Sequence, residues 1–221
     1  MFLSQKFVTN LRKFSEDRMA LISSFFLILI ASLALFAPIL DIQDPYEGVK
    51  SMRNAPPGSP GFFLGADGHG RDVLSRMIWG GRVSLIVGIL PTLLAMMISL
   101  FFGIAAAFKG GLIDTLIMRT LDVFFAFPLV LLAIAIAGVM EPGIITEISS
   151  ITIVLVPYIS RLVRTTTLSV MAQSYIEAAR AGGAKAYTLI IHFIIPNMIA
   201  PVIVYVTTLI GLMIVVGSGL S

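Results

Sequence analysis

Cysteine is absent from the chain. Disulfides, thiol nucleophiles and cysteine-based metal centres are therefore excluded. Histidine is nearly absent: His69 and His192 stand alone and far apart in sequence, so a histidine-rich metal site is not expected. Charge is scarce too, at 12% of residues, against roughly 25% in an ordinary soluble domain. The phosphate-gripping pattern Gly-x-x-x-x-Gly-Lys-Ser/Thr is missing. Gly182-Gly183-Ala184-Lys185 lacks its spacing and its following hydroxyl, so this chain does not hydrolyse a nucleotide by that route. Gly217-Ser218-Gly219 is not a Gly-x-Ser-x-Gly elbow. The apolar runs hold no histidine with a partner, which argues against an intramembrane enzyme.

Apolar residues fill the space that charge leaves. They make up 57% of the chain, and the mean hydropathy is +1.00. The net charge of +3 resides at the ends of apolar runs rather than in one patch, so nucleic acid is not an expected partner. A bilayer-spanning helix needs about 20 mostly apolar residues. Met19–Leu40, Val83–Phe108 and Val123–Met140 meet or approach that length, and Phe193–Ser221 is a further uncharged run. Ile148–Ser160 is short, but gains length from Ile144–Thr146 and Leu162–Val163. The expectation is an all-α, polytopic transmembrane bundle with five spans.

Pro91, Pro128, Pro157 and Pro201 fall within four of these runs. A membrane bundle tolerates such kinks because neighbouring helices satisfy the freed backbone groups. Gly88, Ala95, Ser99, Gly103 and Ala107 offer small residues at close-packing spacing in the second run. The first run is longer than the ~7–15-residue core of a cleavable signal, and no small-x-small site follows it.

With the N-terminus inside and the spans alternating, ten of the fifteen Lys and Arg residues fall in the cytoplasm, as the positive-inside rule requires. This divides the chain into a cytoplasmic segment, 1–18, and a membrane domain, 19–221. Within that domain 41–82 is external and 165–192 is cytoplasmic. The external part contains Ala55-Pro-Pro-Gly-Ser-Pro-Gly61, which is unsuited to regular structure. The cytoplasmic part reads as two short helices around Gly182-Gly183. Ser174-Tyr-Ile-Glu177 has the spacing of a capping box.

Tyr175–Pro196 reads YIEAARAGGAKAYTLIIHFIIP. It resembles the EAA signature of permeases in importers of the ATP-binding-cassette class: Glu177, Ala178, Ala179, a glycine six residues after the glutamate (Gly183), and a closing Pro196. Peptide-type permeases often carry a histidine shortly before that proline, and His192 matches. Gly182 departs from the pattern, since relatives commonly have leucine there.

Leu64–Gly88 reads LGADGHGRDVLSRMIWGGRVSLIVG. It is similar to the external segment of C-type subunits in the dipeptide, oligopeptide and nickel branch, at Asp67, Gly70, Arg71, Asp72, Ser75, Arg76, Gly80, Arg82, Ser84 and Leu85. Ala66 replaces the usual threonine. Asp72 and Arg76 are spaced as an i,i+4 ion pair on a helix. Asp114, Met118-Arg119, Asp122 and Phe127-Pro128 also match the family, and a structural role at the membrane edge is expected for the charges among them.

The resemblance implies a type I importer permease that moves peptides or nickel across a bacterial cytoplasmic (inner) membrane. The segment holding Glu177–Gly183 would dock on a separate ATPase. The implied partners are a homologous B-type permease, two ATPase subunits carrying ATP and Mg, an external substrate-binding protein and lipid. No cofactor or metal on this chain itself is implied. A sixth span, beyond the apolar run that reaches Ser221, is also implied. A self-contained channel or carrier is the competing reading, and it would leave a docking motif without purpose.

Overall fold

The computed structural model describes residues 14–40 and 42–219. Lys6, Arg12 and Lys13 of the expected N-terminal segment, Asp41, and the last two residues of the fifth run lie outside the described residues. Among the described residues the chain is helical, with two isolated β-bridges and no strand. It forms two compact units, Met1–Leu85 and Ile86–Ser221.

In the first unit, helix α1 (Arg18–Leu35) begins at Asp17, whose Oδ1 accepts from the amides of Met19 and Ala20 at 3.0 and 3.1 Å. These bonds satisfy two of the free donors at the helix start. The helix is apolar on all sides, and Phe25, Phe26, Leu27 and Ile28 are exposed. Such a surface suits lipid rather than water. Residues 42–72 form turns around a single 3₁₀ turn, Lys50–Met52, in keeping with their proline and glycine content.

Helix α2 (Val73–Lys109) starts at the end of those turns. The second unit holds the α2 residues from Ile86 onward with α3 (Gly111–Asp122), α4 (Leu129–Val139), α5 (Ile144–Met171), α6 (Ser174–Ala181) and α7 (Ala186–Gly217), and α5 touches each of α3, α4, α6 and α7. Side-chain contacts fix the helix directions. Thr152 Oγ1 reaches the Pro91 carbonyl at 3.4 Å and Ser99 Oγ donates to the Val156 carbonyl at 3.0 Å. Gly103 abuts Ser160 and Val163. Residue numbers rise together along this seam, so α2 and α5 run in the same direction. Along α5 and α7 they run oppositely: Thr167 meets Met198, and Glu147 meets Gly217.

Two parallel helices require the chain between them to return across the bundle once. Residues 110–143 do so as a broken segment. Gly111–Ala126 and Leu129–Val139 meet at 90°. The expected straight span Val123–Met140 is therefore replaced by a 3₁₀ turn (Val123–Ala126), a break, and the short α4. Pro128 explains the break. It cannot continue the helical hydrogen bonds, and it forces Phe127 to extended geometry (φ −115°, ψ 141°). Counting the broken segment as one crossing gives five candidate spans among the described residues. Pro91, Pro157 and Pro201 lie inside continuous helices.

The small residues of the second run do lie in a close seam. Ala95 and Ser99 are fully buried. A Cβ on Gly103 would stand 2.5 Å from Val163 Cγ1, and one on Gly88 would stand 2.5 Å from Ile214 Cγ1. The core is built on α5 and α7, around Leu155, Ile159, Val163, Ile194, Met198 and Val202.

Candidate functional site

Helix α6 follows α5 after two residues and is held by one apolar side chain. Ile176 is fully buried in the core, while Glu177 and Ala178 are exposed and Ala179 is half-buried. The capping box expected from Ser174 and Glu177 does not form. Gln173 occupies the N-cap position and makes no side-chain capping bond, so Ser174 is already the first helical residue. Glu177 is thereby left without a side-chain hydrogen bond or ion pair among the described residues, and its carboxylate faces outward from the first turn.

The helix ends at a Schellman turn. Gly182 caps it, Gly183 has φ +79°, the Gly183 amide donates to the Arg180 carbonyl, and the Ala184 amide donates to the Ala179 carbonyl, both at 3.0 Å. Glycine is the residue that takes this left-handed position without strain. The six-residue spacing from Glu177 to Gly183 thus runs from the first turn of this helix to its stop. Gly182 has an ordinary helical φ of −73°. Arg180 lies over the Phe108 ring at 6.0 Å from its centroid, which ties α6 to the C-terminal end of α2.

His192 and Pro196 belong to the next helix rather than to a separate short one. α7 begins at Ala186, and its residues Leu189–Ile194 are π-helical. Pro196 offers no amide to the His192 carbonyl four residues earlier, and its ring would crowd that carbonyl. A widened turn just before the proline relieves both problems. His192 is exposed and Pro196 opens the regular part of the helix.

The external signature residues form a knot in the first unit. Asp67 accepts from the Arg71 amide at 3.0 Å, the His69 amide at 2.8 Å, Arg71 Nε at 2.9 Å and Arg76 Nη1. Those donors, led by the Arg71 amide and opposed in part by desolvation, hold its carboxyl well below the usual range. The expected Asp72–Arg76 ion pair is absent, because Arg76 is taken by Asp67. Asp72 instead caps α2, with Oδ2 accepting the Ser75 amide at 2.8 Å, and Ser75 Oγ donates to the Gln43 carbonyl. Gly70 has φ +80°, and a Cβ there would lie 2.2 Å from the Val49 carbonyl oxygen. Arg82 stands apart from the knot, its guanidinium 5.7 Å from the Trp79 ring centroid.

A third cluster joins α3 to α5. Arg164 makes a two-pronged contact with Asp114 at 2.5 Å, and Arg161 pairs with Asp122. Arg161 also stacks over Phe125 at 4.0 Å, and Phe125 packs on Tyr158. Sequence reading placed Arg161 and Arg164 beyond or at the edge of a short span. The helix runs through both to Met171, and their partners lie about forty and fifty residues upstream respectively. Only the placing of acidic Asp114 and Asp122 on one segment and basic Arg161 and Arg164 on another hinted at it.

Comparison with known proteins now decides the class. The family model for the binding-protein-dependent transport system inner membrane component matches residues 99–218. The chain belongs to that family. A second family model, the N-terminal TM domain of oligopeptide transport permease C, matches residues 8–57, in agreement with the C-type resemblance drawn from Leu64–Gly88. Among similar proteins, the glutathione transport system permease protein GsiD of Pectobacterium atrosepticum is 35% identical over 212 residues, covering 95% of this chain and 70% of that one. The dipeptide transport system permease protein DppC of Haemophilus influenzae is 33% identical over 199 residues, 88% of this chain and 68% of that one. The di/tripeptide transport system permease protein DppC of Pseudomonas aeruginosa is 35% identical over 201 residues, 89% of this chain and 66% of that one. This permease is thus a multi-pass membrane component of a transport system.

Proposed function

We propose that this permease is the C-type membrane subunit of an ATP-driven importer for short peptides, and that α6 couples it to a separate ATPase. The observation that carries the reading is the state of α6. It is a two-turn helix with an unpartnered Glu177, small exposed Ala178, and a glycine stop at Gly183, joined by only two residues to a core-forming span. A surface of small side chains lets another protein approach the backbone closely, and a free carboxylate is available to a basic group on it.

The relatives' names supply the substrate class: glutathione, dipeptide and di/tripeptide. Peptide is accordingly preferred to the nickel that the wider branch also includes. The positive-inside bias supports a cytoplasmic N-terminus in a bacterial inner membrane, with 41–82 outside and 165–192 inside. α6 sits at the C-terminal ends of the parallel α2 and α5, consistent with one cytoplasmic end of the bundle. A homologous B-type permease, two ATPases with ATP and Mg, and an external binding protein complete the proposed assembly. ATP-driven closure of the ATPases would move α6 and change which side of the pathway is open, which requires two packings of the helices favoured in different nucleotide states.

The test is reconstitution of the assembled transporter in vesicles, with uptake of a labelled dipeptide measured with and without ATP. Uptake that needs ATP, the binding protein and the ATPases together supports the reading. Uptake by this permease without an ATPase would replace it with a self-contained carrier.

A further inference from the structure

The attachments of α5 to its neighbours are unequal. Against α2 and α7 it is locked: Gly103 leaves no room for a methyl group beside Val163 and the Ser160 carbonyl, and Ile151, Leu155, Ile159 and Val163 are almost fully buried. Against the broken segment the two limbs differ. α4 packs along α5, whereas α3 buries only Leu121, with Ile117 and Met118 half-buried against the core. Beside that small apolar contact, α3 is joined to α5 by two ion pairs, Asp114–Arg164 and Asp122–Arg161, next to a cavity of about 430 Å³ that Thr115, Met118, Arg119 and Thr165 also line.

We propose that these four charged residues are positioning residues for transport, forming a clasp that opens and closes as movement passes from α6 through α5 to α3, the first limb of the broken segment. The inference rests on the coupling role proposed for α6. Three observations support it. First, the pairs are partly open: Arg161 and Asp122 side chains are 48% and 35% exposed, and Arg164 and Asp114 are 29% and 20% exposed. The more exposed Arg161–Asp122 pair is of the weak surface kind and separates at small cost, and the polar cavity gives the parted charges room for water. Second, the two-pronged Arg164 contact is directional, so it re-forms in one register. Third, the limb it holds ends at the 90° break beside Pro128, a natural hinge between α3 and α4. A body of α2, α4, α5 and α7 and a movable α3 follow from this contrast in packing.

The test uses the full assembled transporter. Asp114→Asn and Arg164→Gln each remove one side of a pair, and Asp114→Arg with Arg164→Asp exchanges the charges. Each single change is expected to lower peptide taken up per ATP hydrolysed by about fivefold or more, with assembly and ATP hydrolysis largely kept. The exchanged pair is expected to recover most of that ratio. Because the chain lacks cysteine, Thr115→Cys with Thr165→Cys can be bridged by a cleavable bismaleimide. Bridging is expected to stop uptake and cleavage to restore it. Unchanged uptake per ATP in the single variants, or full uptake by the bridged protein, overturns the clasp. Absence of ATP-dependent uptake by the unaltered assembly would instead overturn the functional reading on which the clasp depends.

Discussion

The Ala184 amide reaches back across Gly183 to the Ala179 carbonyl at 3.0 Å, and this bond closes α6. It forms only while Gly183 keeps φ +79°. Any side chain at that position meets the left-handed penalty of about 1–2 kcal/mol, so Gly183→Ala is expected to loosen the turn. Gly183→Val, with its branched Cβ, is expected to loosen it more. Gly182→Leu is a contrast, because φ there is −73° and an added Cβ meets only ordinary contacts. Hydrogen exchange of the amides from Ala179 to Ala184 checks the order: Val fastest, Ala intermediate, Gly182→Leu no faster than the unaltered protein.

Gly103 and Gly138 separate crowding from composition. A Cβ at Gly103 would meet Val163 at 2.5 Å and the Ser160 carbonyl oxygen at 2.8 Å, whereas one at Gly138 meets nothing within 4 Å. Gly103→Ala is expected to destabilise the bundle by about 1–3 kcal/mol, and Gly138→Ala to change it by less than about 0.5 kcal/mol. Thermal unfolding of the purified variants in detergent distinguishes them.

Gly70 and Gly58 make a similar comparison in the external turns. Both have positive φ, +80° and +85°, but only Gly70 also abuts backbone, 2.2 Å from the Val49 oxygen. Gly58→Ala carries strain alone, while Gly70→Ala must also push Val49 away and open the turn. Limited proteolysis of residues 42–72 is expected to be markedly faster in Gly70→Ala than in Gly58→Ala.

The Asp67 knot gives an acid response of defined sign. Its carboxyl titrates below the ordinary value of about 3.9, so the folded state favours the charged form. The stabilisation is complete above that ordinary value and is lost as pH falls through the lower folded one. Proteolysis of residues 42–72 is expected to rise with acidification in the native sequence. In Asp67→Asn it should already be raised at neutral pH and lack the step due to this group.

Much of the bundle was legible because lipid imposes length and apolarity on every crossing. The runs at α1, α2 and α7 and the small-residue seam through Ser99 and Gly103 were read directly. What was not legible depended on contacts distant in sequence. Arg161 and Arg164 looked like the end of a short span, because nothing local announces Asp122 and Asp114 as partners. The capping box failed for a related reason: Ser174 and Glu177 have the right spacing, but the chain enters the helix one residue earlier, at Gln173. The i,i+4 rule predicted Asp72–Arg76, and Asp67 intercepted the arginine from the preceding turn. In the segment that resembles the EAA signature, the bend expected at Gly182-Gly183 is where α6 stops, since a helix stop is a local property.

The most direct examination of α6 as the coupling element is site-directed cross-linking in the assembled, transporting complex. Ala178→Cys would place the single thiol of an otherwise cysteine-free chain on the exposed face, with Val139→Cys, at the far end of the bundle, as control. A photoreactive thiol reagent on Ala178→Cys is expected to join this permease to an ATPase subunit with a yield that depends on nucleotide, and the control is expected to give no such product. An active complex in which the Ala178→Cys probe reaches no ATPase in any nucleotide state would contradict the assignment.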